Sequence, residues 1–123
     1  MSTTSYHVIV AEDQPTMRGL LVRIVARTYS AVTISAVADG QLALQVFDQA
    51  GADLILTNYD MPHLDGIGLA QAIRARGATL PIVMVSADTS AAGAAMAAGV
   101  THFLAKPFQL ADLTRVLTTL LPP

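Results

Sequence analysis

The chain has 123 residues, enough for one hydrophobic core and too few for two. It contains no cysteine, which excludes disulfides, thiolate metal sites and a cysteine nucleophile. Seven Lys+Arg against nine Asp+Glu give a net charge of −2, without the concentrated positive charge of nucleic-acid-binding modules, so a direct nucleic-acid partner is not expected.

The mean hydropathy, +0.52, is high for a soluble protein, but much of it is alanine. No apolar run approaches the roughly 18–20 residues of a membrane helix, and Arg18, Arg23 and Arg27 interrupt the longest candidate. Met1–Tyr6 lacks the basic-then-apolar layout of a secretory signal. A cytoplasmic address without a membrane partner is therefore expected. Whether the chain is a free-standing protein or an excised domain stays open.

Short β-branched runs alternate with stretches of helical period. Tyr6–Ala11 reads as a buried strand. Met17, Leu20, Leu21, Ile24 and Val25 then recur at the spacing of a helix burying one face, with Pro15 in its first turn. Val32–Ala38 is a second strand, followed by a helix from Gly40 to Ala50 with Ala43, Val46, Phe47 and Ala50 on one side and Gly51 stopping it. Asp53–Thr57 is a short apolar third strand. The loop Asn58–Gly66 leads into a helix that runs to about Arg76 and buries Ile67, Ala70 and Ile73. Pro81–Ser86 is a fourth strand, with proline where no ladder donor is required.

The alanine-rich segment Thr89–Ala98 is compatible with a helix, but it offers little large side-chain area and has Gly93 in its middle. It is expected to be the least stable helix. His102–Ala105 makes a fifth strand, and Gln109–Leu121 a last helix with an apolar stripe of leucines and Val116. Met17, Met61, Met84 and Met96 read as core packing, and His7, His63 and His102 as surface or loop residues without ligand spacing. The pattern is an α/β (βα)5 fold: a doubly wound, five-stranded parallel sheet covered on both faces, α/β/α in three layers, with residues 1–123 forming one domain.

In such a sheet, ligands sit beyond the carboxyl ends of the strands. Just past those ends come Glu12 and Asp13, then Asn58, then Ser86, then Lys106, the chain's one lysine. Two acids, an amide, a hydroxyl and an ammonium thus converge on one rim. With the segments EDQPTMR (12–18), DLILTNYDMPHLDG (53–66), Ser86-Ala87 and HFLAKPF (102–108), they make the whole chain resemble the response-regulator receiver domains of two-component signalling, whose fold is CheY-like and flavodoxin-like.

The resemblance implies roles. Glu12 and Asp13 match the acidic pair that holds Mg²⁺, a hard cation that takes oxygen ligands and keeps several waters. The acceptor position, Asn58, and the backbone carbonyl of Asp60 would complete that metal site. Ser86 matches the hydroxyl that bonds the phosphoryl group, Lys106 the lysine that pairs with acceptor and phosphoryl charge, and Pro107 a cis proline. Pro62 and Gly66 match loop-shaping positions, with Gly66 suited to a positive φ. Phe103 matches an aromatic switch position. The implied partners are a histidine kinase or phosphotransfer protein and, through about residues 90–121, a downstream protein.

One position departs from the family. Receivers carry aspartate where this chain has Asn58, and an amide oxygen is too weak a nucleophile to form the acyl phosphate. Phosphorylation should fail, and losing a carboxylate should weaken Mg²⁺. Asp60 is not a ready substitute, because two residues along its side chain points elsewhere. Either the chain is an atypical pseudo-receiver, a phosphate-independent interaction module, or an ordinary receiver changed at one place; the intact surroundings favour a recent or introduced change. An enzyme of the haloacid dehalogenase type would lack its nucleophile and sit on the wrong strand. A nucleotide-binding domain would need a glycine-rich loop after the first strand, which is absent.

Overall fold

The computed structural model describes residues 5–123; Met1–Thr4, part of the stretch read for a signal, lie outside the described residues. The elements are β1 (Tyr6–Ala11), α1 (Pro15–Thr28), β2 (Val32–Val37), α2 (Gly40–Ala50), β3 (Leu54–Asn58), α3 (Gly66–Ala75), β4 (Ile82–Ser86), α4 (Ala92–Ala97), β5 (His102–Ala105) and α5 (Leu110–Leu120). All strand pairs are parallel, in the order β2-β1-β3-β4-β5. The chain reverses its direction of travel across the sheet between β1 and β3, which creates a crevice at their carboxyl ends.

The continuous apolar strands serve two cores at once, because successive side chains point to opposite faces. Val8, Val10, Leu54, Leu56, Val83 and Val85 pack on one face against Leu21, Ile24 and Val25 of α1 and Leu113 and Leu117 of α5. Ile9, Ala11, Ile55, Ile82 and Met84 pack on the other face against Ala43 of α2, Leu69, Ala70 and Ile73 of α3 and Ala95 of α4. Among the described residues no helix is long and apolar enough to cross a membrane.

Side chains close the helix ends. Asp39 accepts from the Leu42 amide at 2.8 Å and Asp65 from the Gly68 amide at 2.8 Å, each capping a helix start. At the opposite edge, a tyrosine clasp joins the two ends of the fold. Tyr29 donates to the carbonyls of Leu117 (3.1 Å) and Leu121 (2.8 Å), and Tyr6 donates to that of Pro122. The two rings meet edge to face with centroids 5.4 Å apart. Burial, with Tyr6 beside it, pushes the Tyr29 phenol up to about 12, so it remains a donor.

The alanine-rich segment departs most from expectation. It begins as a 3-10 turn, Thr89–Ala91, and only Ala92–Ala97 is α-helical. Ala91 and Ala95 are buried, whereas Met96, expected in the core, is half exposed: six residues of helix bury too narrow a stripe to include it. Ala50, expected on the buried side of α2, is exposed where that helix ends at Gly51. Arg74 secures the far end of the α4 segment. Its guanidinium donates twice to the Gly99 carbonyl (3.0 and 2.8 Å), and once each to those of Ala78 (3.0 Å) and Leu80 (2.7 Å). Gly99 has φ +105°, and a Cβ there would lie 2.6 Å from Arg74 Cγ, so both conformation and space require glycine.

Candidate functional site

The expected residues meet at the crevice. Glu12 follows β1 and is fully buried, with its amide bonded to the Val37 carbonyl at 3.0 Å. Asn58 is the last residue of β3, not part of the loop after it, and Ser86 is the last of β4; both are buried, because parallel pairing continues past the apolar runs to Asn58 opposite Val85 and Ser86 opposite Ala105. Lys106 follows β5; its amide bonds the Ser86 carbonyl at 2.9 Å, and its bond to Pro107 is cis. Asp13 is half-buried and the Asp60 side chain is exposed.

Burying a carboxylate demands compensation, and Glu12 obtains it on both oxygens. Oε1 receives Lys106 Nζ at 3.1 Å. Oε2 receives the Asn58 Nδ2 at 3.2 Å and the Gln14 amide at 3.2 Å. Asn58 closes the network: Lys106 Nζ donates to its Oδ1 at 3.3 Å, and its Nδ2 also donates to the Asp60 carbonyl at 3.0 Å. Among the described residues no buried side-chain nitrogen or oxygen is left without a partner. Ser86 Oγ accepts from the Asp88 amide at 3.0 Å, and Asp88 in turn caps the 3-10 turn by accepting from Ser90 at 3.1 Å.

Gly66 does not take the positive φ that glycine permits; the left-handed residue of this loop is His63, at φ 69°. Gly66 is needed for room instead, since a Cβ there would collide with the Asn58 carbonyl oxygen and meet Met84 Cε at 2.7 Å. Phe103 pairs in register with Met84 and is half-buried against the α3 side of the core. His102 is exposed and His63 lies in the loop, as expected, but His7 lies within β1 with its Nε2 2.7 Å from Ser35 Oγ.

Two contributors were not singled out from sequence. Arg18 Nη1 donates to the Glu12 carbonyl at 2.9 Å, and the Gln14 amide supports the Glu12 carboxylate. Arg18 belongs to the EDQPTMR segment, and its place on the first turn of α1 was the available signal. The groove beside Lys106, about 360 Å³, is apolar and lined by Met17, Leu20, Pro107, Phe108 and Leu110.

The donor set fits a divalent cation poorly. Among the described residues no three His, Cys, Asp or Glu side chains gather into a metal-binding group, and the side chain beside Glu12 at the end of β3 is the Asn58 amide. That amide points its NH2 group at the Glu12 and Asp60 oxygens. A hard cation needs oxygens facing it, not N–H.

The response regulator receiver domain profile matches residues 8–118. The chain is 29% identical to a protein-glutamate methylesterase/protein-glutamine glutaminase 2 of Koribacter versatilis, covering 93% of this chain and 32% of that protein. It is 31% identical to the transcriptional regulatory protein TcrA of Mycobacterium tuberculosis, covering 86% of this chain and 42% of that protein. The chain thus spans less than half the length of these relatives. The receiver domain of sensor histidine kinase PA1611 from Pseudomonas aeruginosa PAO1, solved with a magnesium ion coordinated in its active-site cleft, superposes with a TM-score of 0.83 at 27% identity, covering 95% of this chain and 98% of that one.

Proposed function

Because the chain belongs to the response regulator receiver domain family, we propose that it is a two-component signalling module whose acceptor position, Asn58, cannot take phosphate. The observation that carries this reading is the residue itself: an amide, buried at the end of β3 and hydrogen-bonded on both its oxygen and its nitrogen. In a receiver the group at this place attacks phosphorus in line, while lysine and metal offset charge on the equatorial oxygens. An amide has neither the charge nor the nucleophilicity for that attack.

The placement of the neighbouring residues supports the other roles in this reading. Lys106 is the cation for acceptor and phosphoryl charge, and Ser86 the hydroxyl that would sense the phosphoryl group, with Phe103 as the aromatic switch beyond it. Glu12, Asp13 and the Asp60 carbonyl are the groups toward Mg²⁺, whose affinity the loss of charge at Asn58 reduces. The module performs no catalysis of its own and acts by protein contact in the cytoplasm. Receiver domains interact with histidine kinases or phosphotransfer proteins and with downstream proteins; here the output face comprises about residues 90–121. The closed hydrogen-bond network around Asn58, complete without phosphate, favours a second reading: a phosphate-independent interaction module.

Incubation with acetyl phosphate and Mg²⁺, followed by intact mass measurement, tests the proposal. The chain as it stands should gain no adduct, and the Asn58→Asp variant should gain one acid-stable, base-labile phosphoryl group. If that variant stays unmodified, the receiver reading of the pocket fails and the phosphate-independent module replaces it. An adduct on the unaltered chain would reveal a different acceptor.

A further inference from the structure

We propose that Lys106 orients the Asn58 amide so that its NH2 group plugs the cation site, making Asn58 an obstacle to Mg²⁺ and not merely a weaker ligand. The inference rests on the receiver reading above, which assigns Glu12, Asp13 and the Asp60 carbonyl to the cation.

A primary amide presents an acceptor on one side and donors on the other, and a half-turn exchanges them. Three neighbours decide which way it stands. The Lys106 ammonium has only donors, and its Nζ lies 3.3 Å from Oδ1. The Glu12 Oε2 and the Asp60 carbonyl have only acceptors, and they lie 3.2 and 3.0 Å from Nδ2. Turning the amide to offer its oxygen to a cation would set NH2 against the ammonium while that oxygen faced two others. Three hydrogen bonds would become three contacts of like polarity.

The neighbours have little freedom to adjust. Glu12 is fully buried, with its amide tied to Val37 and its carbonyl to Arg18. Lys106 is held at Nζ by Glu12 and at its amide by Ser86. The N–H groups of Asn58 therefore occupy two oxygens that the cation, or the waters it keeps, would use.

Charge alone and the plug make opposite predictions for a third side chain. Asparagine and alanine are both neutral, so the charge argument gives an Asn58→Ala variant no better affinity than the unaltered protein. If the amide is a plug, removing it frees Glu12 Oε2 and the Asp60 carbonyl and leaves room for water.

Mg²⁺ alone is the probe, titrated into the unaltered protein, Asn58→Ala and Asn58→Asp and followed by backbone amide NMR shifts. Asn58→Asp should bind most tightly. Asn58→Ala should bind about three- to tenfold more tightly than the unaltered chain, the equivalent of roughly one hydrogen bond no longer broken on binding. Equal or weaker binding by Asn58→Ala, with Asn58→Asp binding well, overturns the plug and leaves the receiver reading standing. Failure of Asn58→Asp to bind Mg²⁺ overturns both. A second measurement needs no variant: in the metal-free protein the Asn58 side-chain NH2 resonances should exchange slowly, because both acceptors hold them. Exchange at the rate of an exposed asparagine overturns the plug.

Discussion

The crevice at the end of β1 and β3 and the α4 segment lie on the same sheet but are stabilised by different means. At the crevice a buried carboxylate, an ammonium and an amide bond one another, with the Gln14 amide and the Asp60 carbonyl completing the network, so each group depends on the others being present. In the α4 segment few large side chains are buried, the six-residue helix includes Gly93, and one arginine from α3 secures the far end. Polar interdependence makes a region precise and intolerant. Small-residue packing leaves a region free to shift, as an output face that changes partners would require.

The largest effect is expected at the crevice. Lys106→Met strands the Glu12 charge in the interior and should cost about 3 kcal/mol in urea unfolding. A loss below about 1 kcal/mol would mean that the Gln14 and Asn58 amides alone sustain Glu12, and that the crevice is less interdependent than its geometry suggests. Arg74→Met comes next. It removes four bonds to main-chain carbonyls and should cost about 2 kcal/mol. Amide hydrogen exchange should accelerate at residues 97–101 and not at Glu12 or Gln14. Equal acceleration at both would show that the two regions open as one unit. Gly93→Ala should act in the opposite direction and least: a gain of about 0.5–1 kcal/mol, since Ala restores helix propensity and its Cβ meets nothing within 4 Å. Slower exchange confined to α4 would sharpen the contrast, and no change would mean that propensity does not limit this helix.

The fold was largely legible in the sequence because the three central strands, β1, β3 and β4, are apolar on both faces and each long helix carries a period of 3.6. β1 and α2 have the bounds read from the residues, and β5 likewise. The rim was legible because strand ends converge in a doubly wound sheet, so Glu12, Asn58, Ser86 and Lys106 could be grouped without coordinates. What pattern does not carry is the partner of a polar side chain. Arg74 looks like an ordinary polar position on α3, and only the folded chain brings the Gly99 carbonyl to it. The reason for glycine at 66 is not legible either, since crowding against Asn58 and unusual φ select the same residue type. Met96 reads as packing, but a helix this short buries too narrow a stripe to cover it. The way the Asn58 amide faces depends on three neighbours from separate segments, 46 to 48 residues away for two of them.

The tyrosine clasp has a mechanical consequence. Tension applied at Pro122 should not peel α5 away one turn at a time. It reaches β1 through Tyr6 and the end of α1 through Tyr29, loading the first strand and the last helix together. The hydroxyl contacts share that load, so first and last elements should yield in one step rather than in sequence.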